Sequence, residues 1–296
     1  MKLYHKQFLG LEDEFIDHEK AAIAILPFPY EGGVSYGTGT SKAPDAVINA
    51  SHYLELYDEV LKVEPHRQGI ITVSPPEMPK NQAAMFAAVY EKTRALINEN
   101  KFVVLLGGDH SISSGFFKAL CDKYGILAAI QIDAHTDLRD SYKDSKLNHA
   151  CVMSRIRELT PHTLQIGIRS MSLEEAELIE RENLCVCTMH DFRQAKFDIG
   201  PALDKMPDPV FLTVDVDAFD WSVVMSTGTP EPGGFLWDEA LNLLQKIFMC
   251  KKVVGFDVVE LSYSQTDKNS SFAIAKLIYK MLGFKLMADN QRLRSA

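Results

Sequence analysis

The chain has 296 residues, 46% of them hydrophobic, and a formal net charge of −9 at pH 7. That length and apolar content allow a single domain over residues 1–296 with a substantial core. The negative charge argues against a nucleic-acid or anionic-membrane partner. The opening MKLYHKQFLGLEDEF has no apolar signal core and no apolar run is long enough to span a bilayer, so the expected location is the cytoplasm.

The first strand expected is Ala21–Leu26. After it, residues 28–51 are rich in Gly and Ser up to Pro44, with a short helix beyond. They lack the Lys-Ser/Thr ending of a phosphate loop and do not fit GxGxxG, so a long ordered loop over the sheet edge or the site is expected. Strands at Gly69–Val73 and Phe102–Leu106 flank a helix at Asn81–Glu99. A helix at Ser111–Lys123 leads to a strand at Ile126–Ile132. Then come strand Thr163–Ile168, helix Ser172–Arg181 and strands Leu184–Thr188 and Val210–Val216. Helix Trp237–Cys250, strand Val253–Val259 and helix Ser271–Leu282 complete the series. Several strands are apolar throughout, the pattern of a parallel sheet covered on both faces.

The five cysteines are an odd number without a secretory signal, which speaks against a disulfide framework. Cys185 and Cys187 alternate faces of a strand, and all five read as reduced, mostly buried thiols.

The chemistry gathers where apolar strands end. GGDHS (Gly107–Ser111) follows the third strand and DAHTDLRD (Asp133–Asp140) the fourth. DVDAFD (Asp215–Asp220) closes the seventh, and Glu260 follows the eighth. In a parallel sheet these points share the carboxyl edge, where α/β folds bind ligands. Asp133, His135 and Asp137 alternate, as do Asp215 and Asp217, so each set can face one side of an extended segment. A lone Asp at a strand end is ordinary. A pocket of four aspartates with His110 and His135 has strongly raised carboxyl pKa values unless cations balance it. Two divalent ions of the Mn, Fe, Zn or Ni type fit, and such a pair makes hydroxide available near neutral pH. One metal, or an acid–base carboxylate pair without metal, is the alternative.

These motifs, with NHACVMSRI (Asn148–Ile156), STGTPEPGG (Ser226–Gly234) and DVVEL (Asp257–Leu261), resemble the ureohydrolases, the family of arginase and agmatinase. The resemblance runs from about Pro27 to the final helix. It implies a three-layer αβα fold around a mainly parallel eight-stranded sheet, assembled as a homotrimer or homohexamer. It also implies two Mn²⁺ per chain: one on His110, Asp133, Asp137 and Asp215, the other on Asp133, His135, Asp215 and Asp217. Asp133 and Asp215 would bridge. Glu260 matches a glutamate near the guanidinium, and His149 a mobile proton-shuttling histidine; with Asp137 they are the catalytic candidates.

The implied reaction is attack of hydroxide on the guanidinium of a small cationic compound. Arg139 stands where arginases carry an asparagine for the amino-acid head, and PEPGG is agmatinase-like. Agmatine, giving putrescine and urea in polyamine biosynthesis, is therefore the expected substrate. Trp221 and Met225-Ser226 depart from the family pattern beside the pocket. Guanidinobutyrate, guanidinopropionate, formiminoglutamate and aminopropylagmatine are alternatives. A silent oligomeric scaffold expects a broken ligand set, and none is broken. A deacetylase is disfavoured by the doubled Asp-x-Asp pattern.

Overall fold

A computed structural model describes residues 1–295. Its eight strands are β1 (Ile23–Phe28), β2 (Ile70–Thr72), β3 (Phe102–Gly107), β4 (Ala128–Ile132), β5 (Thr163–Ile168), β6 (Cys185–Thr188), β7 (Val210–Asp215) and β8 (Val253–Val259). They form one sheet in the order β2-β1-β3-β8-β7-β4-β5-β6, with every pairing parallel. The helices are α1 (Ala43–Ser51), α2 (Gln82–Asn98), α3 (Ser113–Tyr124), α4 (Val152–Arg157), α5 (Leu173–Glu182), α6 (Met189–Arg193), α7 (Ile199–Asp204), α8 (Trp237–Cys250) and α9 (Asn269–Ser295).

The continuous apolar strands follow from burial on both faces. Ile23, Ile25, Val104 and Leu106 enter the core under α1, α8 and α9, while Ala24, Leu26, Val103 and Leu105 enter the one under α2, α3 and α4. Only the edge strand β6 is half-buried over most of its length.

The last helix runs well past its expected end at Leu282. Gly283 lies inside it, where an added Cβ would lie 2.7 Å from Leu61 Cδ1. The helix expected to open at His149 is present as a 3-10 turn, His149–Cys151, running into α4, whereas two short helices, α6 and α7, are too brief for their periodicity to be read from sequence. All five cysteines are free, though only Cys151 and Cys187 are buried and Cys250 is exposed. Among the described residues no helix is long and apolar enough to cross a membrane.

Candidate metal centre

The carboxyl ends of β3, β8, β7 and β4 are neighbours in the middle of the sheet, so the residues that follow them converge. His110 Nδ1 lies 3.2 Å from Asp133 Oδ2, 3.0 Å from Asp137 Oδ2 and 3.3 Å from Asp215 Oδ2. His135 Nδ1 lies 2.9 Å from Asp217 Oδ2 and 3.7 Å from Asp133 Oδ1. Asp133 thus turns one oxygen to each histidine. Two sets of donors close enough to hold an ion result: His110, Asp133 and Asp137, and Asp133, His135 and Asp217. Asp215 sits with the first, its Oδ1 accepting from Asp217 N at 2.9 Å.

Strand alternation is not what brings these ligands together, contrary to the sequence reading. β4 ends at Ile132, and Asp137 has a left-handed backbone with φ 50°. Asp217 lies in a 3-10 turn, Val216–Ala218. Turns do the aiming because each acid needs its own direction, which a straight strand cannot supply. They are pinned from outside. Glu175, which completes the capping box of α5 with the N-cap Ser172, accepts from Thr136 Oγ1 at 2.8 Å and Leu138 N at 3.0 Å. The Asp137 carbonyl accepts from Met153 N at the start of α4 at 3.0 Å. Gly108 is obligatory: a Cβ would fall 1.8 Å from Tyr30 O.

Beneath the ligands lies a row the sequence reading missed. Asp257, Thr213, Gln131 and Gln165 are paired side by side across β8, β7, β4 and β5, and all are buried. Each is the polar interruption of an otherwise apolar run, and that was the available signal. Gln131 Nε2 donates to Asp133 Oδ2 at 2.6 Å, and Gln131 Oε1 accepts from Gln165. His110 Nε2 and Thr213 Oγ1 are 2.8 Å apart.

The electrostatics follow from crowding. Burial disfavours the charged form of His110, but three carboxylates around it push its pKa well above the usual value. His135 is pushed up to about 12, burial opposing it and Asp217 and Asp133 overcoming that. Burial and the neighbouring Asp133 raise Asp137 to about 6, and burial and Asp217 raise Asp215 well above the usual carboxylate range. Asp217 is raised by burial and Asp133. Asp133 departs from the expected rise: burial would lift it, but the two imidazoles hold it down.

The rim completes the pocket, a cavity of about 180 Å³ lined by His135, Asp137, Asp215 and Asp217 together with Ser35, Arg139, Tyr142, His149 and Thr229. The 28–51 loop does cover the site. Gly33 N donates to Asp109 Oδ2 at 2.7 Å, and Ser35 Oγ meets His149 Nε2 at 2.7 Å. His149 Nδ1 is 3.3 Å from Glu260 Oε1, which also accepts from His110 N at 2.7 Å. Its pKa is raised because Glu260 outweighs burial. Arg139 packs over the Tyr142 ring at 5.6 Å. Arg169 ties the far rim down, donating to the carbonyls of Asp217 at 2.6 Å, Glu231 at 2.8 Å and Pro232 at 3.0 Å. Glu231 in turn approaches His135 Nε2 at 3.8 Å.

A family model described as the arginase family matches residues 21–283. The chain belongs to the arginase family. Within it, the chain is 40% identical to an N(1)-aminopropylagmatine ureohydrolase of Synechocystis sp., over 94% of each chain. It is 31% identical to an agmatinase of Pyrococcus horikoshii, covering 96% of this chain and 99% of that one. The crystal structure of an agmatine ureohydrolase of Thermoplasma volcanium superposes with a TM-score of 0.86 at 28% identity, covering 97% of both chains. The protein is thus an arginase-fold hydrolase acting on guanidino carbon–nitrogen bonds.

The donor set fits a divalent ion. His110 Nδ1 is buried without a hydrogen-bond partner and lies 3.2, 3.0 and 3.3 Å from oxygens of Asp133, Asp137 and Asp215. An imidazole nitrogen and hard oxygens together suit Mn²⁺ and its neighbours.

Proposed function

We propose that the protein releases urea from a linear guanidino-amine at a centre of two Mn²⁺, one on His110, Asp133, Asp137 and Asp215 and the other on Asp133, His135, Asp215 and Asp217. The observation carrying this is the pair of donor sets sharing Asp133, with His135, Asp137, Asp215, Asp217 and His149 lining one pocket and Glu260 3.3 Å from His149. When bound, the metal pair supplies a strong oxygen nucleophile near neutral pH.

The chain's own residues do the rest. Glu260 Oε1 accepts from His110 N and lies 3.3 Å from His149 Nδ1, and its Oε2 would accept from a guanidinium N–H. Its charge complements the cation and orients the carbon toward the metal floor. His149 meets Ser35 on the rim side and Glu260 within. Its raised pKa favours the imidazolium, which gives a proton to the leaving nitrogen as the carbon–nitrogen bond breaks. The Ser35 hydroxyl, on an exposed residue, lets the ring exchange protons with water.

N(1)-aminopropylagmatine is the substrate favoured by the 40% identity to the Synechocystis relative. Agmatine, expected from the sequence motifs, is the second reading, supported by the Pyrococcus relative. Either product is a polyamine. The test is metal analysis with urea release over N(1)-aminopropylagmatine, agmatine, guanidinobutyrate, guanidinopropionate and arginine, and formamide release from formiminoglutamate. A higher kcat/KM on aminopropylagmatine is the expected result. A protein that binds Mn²⁺ but frees urea from none of the guanidino compounds overturns the proposal.

A further inference from the structure

His110 has two ring nitrogens with opposite duties. Nδ1 faces the carboxylates of Asp133, Asp137 and Asp215, where a cation would sit, so it must present a lone pair. The hydrogen then belongs on Nε2, which meets Thr213 Oγ1 at 2.8 Å. A hydroxyl can accept that hydrogen or donate one of its own. If Thr213 donated to Nε2, the hydrogen would move to Nδ1 and close the metal position. Something must hold the hydroxyl hydrogen away from the histidine.

Asp257 is placed to do so. It pairs with Thr213 in the β7–β8 register and has no exposed surface. Neither of its oxygens has an aligned partner, and the hydroxyls of Thr213 and Ser113 lie beside it. A carboxylate can only accept, so it turns the Thr213 hydrogen toward itself and the Thr213 lone pairs toward His110. Burying an acid in the middle of a sheet is costly, and burial raises its pKa to about 6. Such a group at the foot of a ligand is worth explaining.

We propose that Asp257 acts through Thr213 as the positioning residue of the metal centre, orienting the hydroxyl so that His110 Nδ1 is free to bind the divalent ion. This rests on the metal reading above. Asp257→Asn is the informative change. It keeps the shape, but its amide can donate to Thr213 Oγ1 and send the hydroxyl hydrogen back to Nε2. Thr213→Val removes the hydroxyl, and Thr213→Ser keeps it.

The experiment is Mn²⁺ titration against a chelating competitor, with circular dichroism and melting in chelator as folding controls. In Asp257→Asn and Thr213→Val the ion on His110 should bind about 10–100-fold more weakly, the range for lost support of a ligating histidine. The other ion should be held as in the wild type, and Thr213→Ser should behave as the wild type. A merely structural role predicts equal weakening of both ions with a lower chelated melting temperature. Unchanged affinity in both variants overturns the proposal, and if Asp257→Asn does not fold, Thr213→Val decides it. A wild-type protein that binds no Mn²⁺ at all instead overturns the metal reading itself.

Discussion

Removing divalent metal should lower the melting temperature, by an amount the geometry sets. Without a cation, four buried aspartates face two histidines, and protons must do the neutralising. A ligand that binds only the folded state, present at about 100 times its Kd, stabilises by about 2.7 kcal/mol per site. Unfolding a chain of 296 residues carries an entropy of about 0.6 kcal/mol/K. Each ion should therefore raise the melting temperature by about 4 °C, and two by about 9 °C. The pH dependence has a definite sign. Asp137, raised to about 6, and His135, raised to about 12, hold more protons folded than unfolded. That contribution is complete below their unfolded values and is lost as pH rises, through about pH 4–6 for the acid and from about pH 6.5 upward for the imidazole. Metal displaces those protons, so its stabilising shift should be larger at about pH 8 than at about pH 5.5. Scanning calorimetry with and without chelator at both pH values measures it. A curve that chelation does not move at pH 8, with saturating Mn²⁺ as reference, would mean that the acids do not share a cation. Asp133→Asn should lose the response to both ions.

His149→Asn should keep its metal and nearly its KM while kcat falls about 10²–10⁴-fold, the span for lost acid–base assistance; steady-state kinetics beside metal analysis would show a structural role if turnover were unchanged. Arg169→Ala frees the carbonyls of Asp217, Glu231 and Pro232 and should cost about 2–4 kcal/mol by denaturant titration, with weaker binding of the ion on Asp217. An unchanged midpoint would show the rim to be held otherwise. Phe256→Ala empties a fully buried site between Phe102 and Phe248 and should cost about 3–5 kcal/mol, read from the denaturation midpoint, without altering metal stoichiometry. A loss of metal there would mean that the core and the centre are coupled.

Much of this protein was legible before any coordinates. Apolar strands doubly covered by helices have no choice but near-continuous hydrophobic runs, and parallel pairing sends all their carboxyl ends to one edge. His110, Asp133, His135, Asp137, Asp215, Asp217 and Glu260 could therefore be grouped from sequence position alone, and the motifs carried the family. Strand order could not be read, because pairing partners lie far apart in the chain and nothing local encodes that β8 and β7 separate β3 from β4. Nor could the aim of the ligands, which depends on backbone turns pinned by Glu175 and α4 rather than on alternation. The contact of His149 with Glu260 and Ser35 joins residues 111 and 114 positions apart. The polar row of Asp257, Thr213, Gln131 and Gln165 shows the division most clearly. Each residue looks like a flaw in its own strand, and only the register across four strands turns the flaws into the floor of a metal centre. A buried polar group gets its meaning from its partner, and partners are a property of the tertiary fold.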